Sequence, residues 1–500
     1  MVKTLKHLIV PNNLFLCTKL YCARKEILRF AQNDISFHHP IDITGEKMAK
    51  FGKDLSEGSV SKQLISFSVP FLISNLVQSL YSVADMLIVG NFSGTAAVSG
   101  VNIGSQITHV LTMLVLGFCT GGTIMVSQYM GARDEDGVKE TISTLITALL
   151  VGGAAITVVM FLLIDPSLRM LETPAESYGE ARDYLTITIA GILFIFAYNA
   201  FSAILRGMGD SKRPFYFVSI SCVTNIVLDL VLVAGFGMGA KGAAIATVFS
   251  QAVSVVLCII YLRIRNFVFD FRISSFKINK VYLAKILKIG APSAIQSGVI
   301  SISFMFITAL VNTIGGVNAS AAVGIVGKFN SFAIMPASAM SASVSTMCAQ
   351  NIGANKWDRA IKTCKIGTSI AWVIGLCIFT IAQLFSSQII MMFDRNPETI
   401  AYGVQYMRSF SFEYILVPIV FCVTSLFTGA GHTTFAMFSN MLSALLLRIP
   451  ASYICSSVLG LGILGVGMGS PISNIGSIII IIIYLASGRW KVNKVIRTAK

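Results

Sequence analysis

The sequence predicts an all-α membrane protein: twelve transmembrane helices in two six-helix lobes related by an internal parallel repeat. Three observations predict it. Of the 500 residues, 55% are hydrophobic and only 12% charged, about half the charged fraction of an ordinary soluble domain. Apolar segments recur along the chain, each long enough for the ~20 residues that a spanning helix needs. The second half repeats residues of the first at a constant offset of 222 positions.

A water-soluble chain of this length could not cover itself with so few charges. A bilayer removes that need, because apolar surface facing lipid carries no hydration cost; the mean hydropathy of +0.77 agrees. The formal charge of +15 does not point to nucleic acid, since the basic residues fall between apolar segments and form no stripe. Ten cysteines show no CxxC pair, and most sit in apolar runs, as do Cys119, Cys222, Cys377 and Cys422. They read as small buried hydrophobes. No disulfide and no metal cluster is expected from them.

From Met1 to about Val60 there is no span-length apolar run and no cleavage site after one, which argues against a signal peptide. Within this segment Glu26-Ile-Leu-Arg-Phe-Ala-Gln-Asn-Asp34 resembles a translated bacterial intergenic repeat. The natural start is therefore expected at Met48, with residues 1–47 a spurious or dispensable extension; the alternative is a basic cytoplasmic tail. The expected domains are 1–60 as a cytoplasmic segment, 61–264 and 281–487 as lobes, 265–280 as a basic linker and 488–500 as a tail. The expected spans of the first lobe are 64–90, 96–128, 141–164, 181–205, 215–234 and 242–264. Those of the second are 281–311, 319–349, 361–392, 400–428, 433–455 and 461–485. Pro70, Pro292, Pro336, Pro418 and Pro450 lie inside them and mark kinks.

Orientation follows from the loops. With the N-terminus inside, the inner loops and C-terminus after residue 65 carry twenty-one Lys and Arg. The outer loops carry four: Arg169, Arg182, Lys241 and Arg395. The positive-inside rule then puts both termini in the cytoplasm.

The longest basic loop, Arg265–Lys280, divides the span list in two. Across it, Pro70 matches Pro292, Gly94 matches Gly316 and Val101 matches Val323. The register holds for Met125/Met347, Gln128/Gln350, Gly131/Gly353, Asp136/Asp358, Gly207/Gly429 and Gly209/Gly431. Six spans per half is even, so the halves run in one direction about an axis along the membrane normal. Parallel repeats of this kind occur in secondary transporters, with the site between the halves.

The paired motifs Gln128-Tyr-Met-Gly-Ala-Arg133 and Gln350-Asn-Ile-Gly-Ala-Asn355 read as helix ends closed by a glycine turn. Leu205-Arg-Gly-Met-Gly-Asp-Ser-Lys-Arg-Pro214 reads as a tight turn with proline opening the next helix. With Gln78-Ser-Leu-Tyr-Ser-Val-Ala-Asp85 and Gly239-Ala-Lys-Gly-Ala-Ala-Ile-Ala-Thr247, these segments resemble the multidrug and toxic compound extrusion (MATE) family, nearest its MepA-like and DinF-like bacterial branches. The resemblance covers about residues 48–490. It implies a cation-coupled antiporter with a V-shaped cleft between its lobes, taking small organic, cationic or amphipathic cargo and acting as a monomer in the bacterial cytoplasmic membrane. No GxxxxGK[ST] loop is present, so ATP is not expected as the direct energy source.

Coupling to an ion gradient needs ionisable or oxygen-rich side chains inside the membrane. Asp85 lies five residues before Gly90, Asp229 six before Gly235, and Thr247 six after Lys241. At 1.5 Å per residue all three sit at one depth, roughly 8–9 Å below the outer ends. Asn225 is one helical turn from Asp229, and Tyr81 one turn from Asp85. An intramembrane carboxylate is costly and marks a candidate functional site, although two unrelated structural groups would satisfy the same pattern. The family resemblance agrees residue by residue: Tyr81, Asp85, Asn225, Asp229 and Thr247 match its first-lobe cation site. Asp85, Asn225, Asp229 and Thr247 would suit Na⁺, a hard cation, and the carboxyls would suit H⁺ equally.

In the second half the positions equivalent to Asp85 and Asp229 are Ile307 and Ala451, so a second acidic site of this pattern is missing. That half instead holds Lys328, Glu413, His432 and Arg448. A Glu413–Arg448 or Glu413–Lys328 ion pair is one reading and a contact for cationic cargo the other, with His432 expected solvated at a turn. Gln78, Asn199, Ser202 and Met208 are further cleft candidates. The alternative function is a lipid-linked precursor flippase of the same superfamily, whose clefts are strongly basic; here, apart from the basic residues at helix ends counted with the loops, the spans hold only Lys328, Arg408 and Arg448. The absence of HExxH and GxSxG argues against an enzyme.

Overall fold

The computed structural model describes residues 52–265 and 267–496. The expected extension 1–47 and the Met48 start lie outside the described residues. Helix α1 runs Val60–Gly131, 72 residues, or about 108 Å at 1.5 Å per residue, over three times a ~30 Å hydrocarbon core. It cannot cross once. Gly94 breaks it, with φ 79° and ψ −179°, a backbone region that only glycine occupies without strain. The repeat does the same: α7 (Lys280–Ala333) breaks at Gly315 and at Gly316, whose φ is 56°, and α8 (Met335–Gly353) completes the second crossing. Equivalent glycines thus make the hairpin in each half.

The rest of the first half is α2 (Glu135–Met170), α3 (Ala175–Ala190), α4 (Ile192–Gly207), α5 (Lys212–Asp229) and α6 (Gly239–Ile264). Asp134 starts α2 as a true N-cap, its side chain accepting from the Gly137 N–H at 2.8 Å. Helices α3 and α4 are one span bent by 51° at Gly191. Helix α5 continues as a π-helical stretch, Leu230–Gly235, so Asp229 sits where the helical register widens.

The second half holds α9 (Trp357–Leu384), α10 (Ser386–Met391), α11 (Pro397–Phe410), α12 (Glu413–Gly429), α13 (Thr433–Met441), α14 (Ile449–Tyr453) and α15 (Gly462–Ala486). Helices α11 and α12 bend by 42°, and α13–α14 run through two π segments as one stretch, Thr433–Val458. Among the described residues, eight helices are long and apolar enough to cross a membrane, or ten with the bent pairs. The hairpins at Gly94 and Gly315–Gly316 each divide a double-length member, which gives twelve crossings. Of the kink prolines, Pro70, Pro292 and Pro418 are inside helices. Pro336 instead opens α8, where a missing N–H costs nothing, while Pro450 lies within the continuous stretch Thr433–Val458, directly after its first π segment.

The outside of the bundle is apolar: Leu162, Met170, Ile264 and Ile483 are all more than 60% exposed. Only lipid makes such a surface tolerable. Inside, small residues let backbones meet. The loops bearing the Lys and Arg residues define one end of the bundle, the basic end, and there the halves interlock. Val60, Leu64 and Phe67 at the start of α1 bury against Met340, Val344 and Met347 of α8. Reciprocally, Ile286 and Ile289 of α7 enter the first-half core, where Gly117 leaves room for Ala294. Further along the spans Gly298, Gly324 and Gly327 face open space.

The linker packs too. Phe267, Phe269 and Phe271 are buried in the first-half core, and the Ser143 hydroxyl bonds the carbonyl of Lys277 at 3.0 Å. Ile273 stands out from it at 92% exposure.

Two local expectations need correction. Gly131 and Gly353 are not the turning residues of their motifs. Both are helical, and the left-handed positions are Arg133 (φ 57°) and Asn355 (φ 59°). Asp134 and Lys356 N–H groups reach back to the carbonyls of Tyr129 and Asn351, closing each helix end as a Schellman motif does. His432 is not solvated either: only 2% exposed, it accepts the Tyr484 hydroxyl at Nδ1 and donates from Nε2 to the Val492 carbonyl. Burial pushes its pKa down. It pins the C-terminal segment to the α12–α13 turn.

Candidate functional site

The polar residues of the first half come together in the interior. Asp85 of α1, and Asn225 and Asp229 of α5, are buried at 8%, 1% and 0% exposure. Asp85 and Asp229 are neighbours close enough for their carboxyl groups to interact directly. Two carboxylates in contact repel unless a proton or a cation lies between them. The Asn225 amide donates to Thr247 Oγ1 of α6 at 3.5 Å. That leaves Asp85 Oδ1, Asn225 Oδ1 and both Asp229 oxygens buried without a donor.

Four orphaned acceptors in one place are costly. An acceptor-only set of oxygens is what a hard monovalent cation needs, and a carboxyl pair is also what a proton needs. The residues present therefore fit either coupling ion. Tyr81, half-buried one turn before Asp85, is close enough to Asp85 to feel its charge.

One neighbour was not foreseen. Tyr184 of α3 is buried and lies within electrostatic reach of Asp85, Tyr81 and Asp229. It packs with Val89, Ala97, Val101, Val233 and Ala243 into an apolar layer beside the site. Its position gave no signal, because a tyrosine at the head of a span reads equally as core.

The cleft candidates do not form one surface. Gln78 is half-buried on α1, two turns from Asp85, and Asn199 bonds its own helix at the Ile195 carbonyl, 2.8 Å away. Ser202 and Met208 are buried in the first-half core. Met208 caps α4 at the basic end, its carbonyl accepting from the Lys53 N–H at 3.0 Å, so it lines no cleft. Glu413 is buried inside the second half and accepts the Ser470 hydroxyl. Its charged neighbour is Arg448, and the two are not in direct ion-pair contact; the guanidinium sits 4.2 Å from the Phe304 ring centroid. Lys328 is exposed and makes no ion pair among the described residues. A cavity of about 290 Å³ lies alongside, lined by Phe304, Thr308, Gly327, Asn330 and Tyr406.

The fold and site define a polytopic membrane protein with an ionisable pair buried in one of two repeated halves, the build of a secondary transporter. The MatE family model matches residues 70–231 and 292–454, once in each half. This chain belongs to the MATE family, a family of transporters and not of enzymes. It is 30% identical over 449 residues to the probable multidrug resistance protein YoeA of Bacillus subtilis, covering 88% of this chain and 96% of that one. It is 24% identical over 406 residues to the multidrug export protein MepA of Staphylococcus haemolyticus, covering 81% and 89%. The fold matches a structure described as the outward-facing conformation of a multidrug resistance MATE family transporter of the MOP superfamily. There the TM-score is 0.82 at 24% identity, over 90% of this chain and 100% of that one.

Proposed function

We infer that this chain is an H⁺- or Na⁺-coupled antiporter that exports small organic cations or amphipathic drugs from the cytoplasm. The observation that carries the reading is the Asp85–Asp229 contact with its orphaned oxygens. An ion arriving from outside satisfies those oxygens, and cargo leaves as it does. The names of the relatives, multidrug resistance and multidrug export proteins, support the cargo class. Pro70 lies in the same helix as Asp85, so ion loading would repack α1 about that kink. Residues 61–264 and 281–487 act as the two lobes. Ion site and cleft lie within one chain, so a monomer suffices.

Purified protein in proteoliposomes loaded with a fluorescent cationic dye provides the test. Dye movement is expected under an imposed H⁺ or Na⁺ gradient. No movement under either gradient would refute ion-coupled export.

The basic end faces the cytoplasm in this reading, because of its Lys and Arg excess. Ile273→Cys puts a thiol on a fully exposed position of the linker. In intact cells it should resist an impermeant thiol reagent and react after permeabilisation. Labelling at the same rate in both would reverse the orientation.

A further inference from the structure

At the basic end the internal repeat closes on itself. The Gln128 side chain of α1 donates from Nε2 to the Gly429 carbonyl of α12, in the other half, at 2.7 Å. Its repeat partner, Gln350 of α8, donates from Nε2 to the Gly207 carbonyl of α4, at 3.1 Å. Gly207 and Gly429 are themselves repeat partners, so the two bonds are one interaction made twice in opposite senses. Both glutamines are buried. Gly131 faces the Gln350 carbonyl and Gly353 faces the Gln128 carbonyl, with no room for a Cβ at either. Two helix ends from different halves meet here at backbone contact.

A single unrepeated segment then ties the ends together. Leu55 is buried, and its N–H donates to Gln350 Oε1 at 3.0 Å. Lys53 N–H donates to the Met208 carbonyl of the first half at 3.0 Å. Arg359 of α9 grips the Gly58 and Glu57 carbonyls at 2.8 and 2.9 Å, and Lys356 the Ser56 carbonyl at 3.1 Å. Arg133 of the first half reaches Asp54 and Glu57 at 3.8 and 3.7 Å. Residues 53–58 therefore bridge both halves.

We propose that Gln128 and Gln350 are a reciprocal latch that holds the basic end shut, with residues 53–58 as its strap. The proposal rests on the transport reading only in what the latch is for: cargo can enter from the basic end only after these bonds break. None of its residues belongs to the ion site. A buried amide–carbonyl bond weights a two-state equilibrium by about threefold to tenfold, so two bonds and a strap favour the closed state without freezing it.

Hydrogen–deuterium exchange of the full-length protein in detergent, without cargo, reads the latch directly. Gln128→Met and Gln350→Met keep side-chain volume and remove the amide. Each is expected to speed exchange about threefold to tenfold in peptides covering 125–137 and 345–360 together, and to leave 305–325 unchanged. Arg359→Ala, which empties no core position, should do the same at 53–60 and 345–360 even if a methionine variant fails to fold. Unchanged exchange at the basic end in the folded variants overturns the latch. Dye efflux by the unmodified protein is scored separately: faster exchange without any efflux keeps the latch and sinks the transport reading. Normal efflux with unchanged exchange does the reverse.

Discussion

Asp85→Asn is expected to abolish gradient-driven efflux while leaving the protein folded and in the membrane. The substitution keeps the size of the side chain and its ability to hydrogen-bond. What it removes is the charge that a proton or Na⁺ exchanges for. Asp85 and Asp229 interact in the interior, so replacing one acid with an amide also relieves the repulsion between two carboxylates. Folding should therefore survive, and the loss should appear in coupling alone. Exchange of ion for cargo needs about 1–3 kcal/mol of coupling free energy, which a site that has lost its paired charge no longer supplies. Asp229→Asn should impair efflux as well. Glu413→Gln should cost less, since Glu413 is held by Ser470 and lies in the other half. The measurement is dye efflux from proteoliposomes at matched protein content. Native rates in Asp85→Asn would move the coupling site away from this pair.

Much of this site was legible in the sequence because its signals are local. A carboxylate in an apolar run is conspicuous by its cost, and helical spacing alone brings Asn225 under Asp229 and Tyr81 under Asp85. The 222-residue offset was equally plain, since Gly94 and Gly316 recur where each half must turn. Contacts across the repeat were not readable in the same way. Tyr184 joins the acids through tertiary packing, and nothing in its neighbours sets it apart from a core tyrosine. His432 looked like a turn residue, yet Tyr484 and the Val492 carbonyl bury it from 52 and 60 positions away. The same distance hid the purpose of two glycines. Gly131 and Gly353 stand next to helix ends, where local rules predict a left-handed turn; Arg133 and Asn355 take that conformation instead. The glycines answer to a surface in the other half.

That reassignment gives the second large effect. Gly353→Ala is expected to cut export at least tenfold without unfolding the protein. Gly353 is helical, and alanine is a better helix former than glycine by roughly 1 kcal/mol in any conformation the helix keeps. The clash arises only where the basic ends meet. There the new methyl would fall against the Gln128 carbonyl, a backbone atom within α1 that no rotamer change can move aside. Overpacking of this kind costs typically about 1–3 kcal/mol, and the whole of it falls on the closed state. A penalty of ~1.4 kcal/mol already shifts an equilibrium tenfold. The variant should therefore express, retain its melting temperature or gain slightly, and exchange deuterium faster across 345–360 as the halves part. Gly131→Ala meets the Gln350 carbonyl in the same way and should behave alike, as the repeat requires. By contrast Gly152→Ala, also helical but facing open space, should export normally. If Gly353→Ala matches Gly152→Ala in efflux and exchange, backbone contact at the basic end is not a state that the transport cycle must visit.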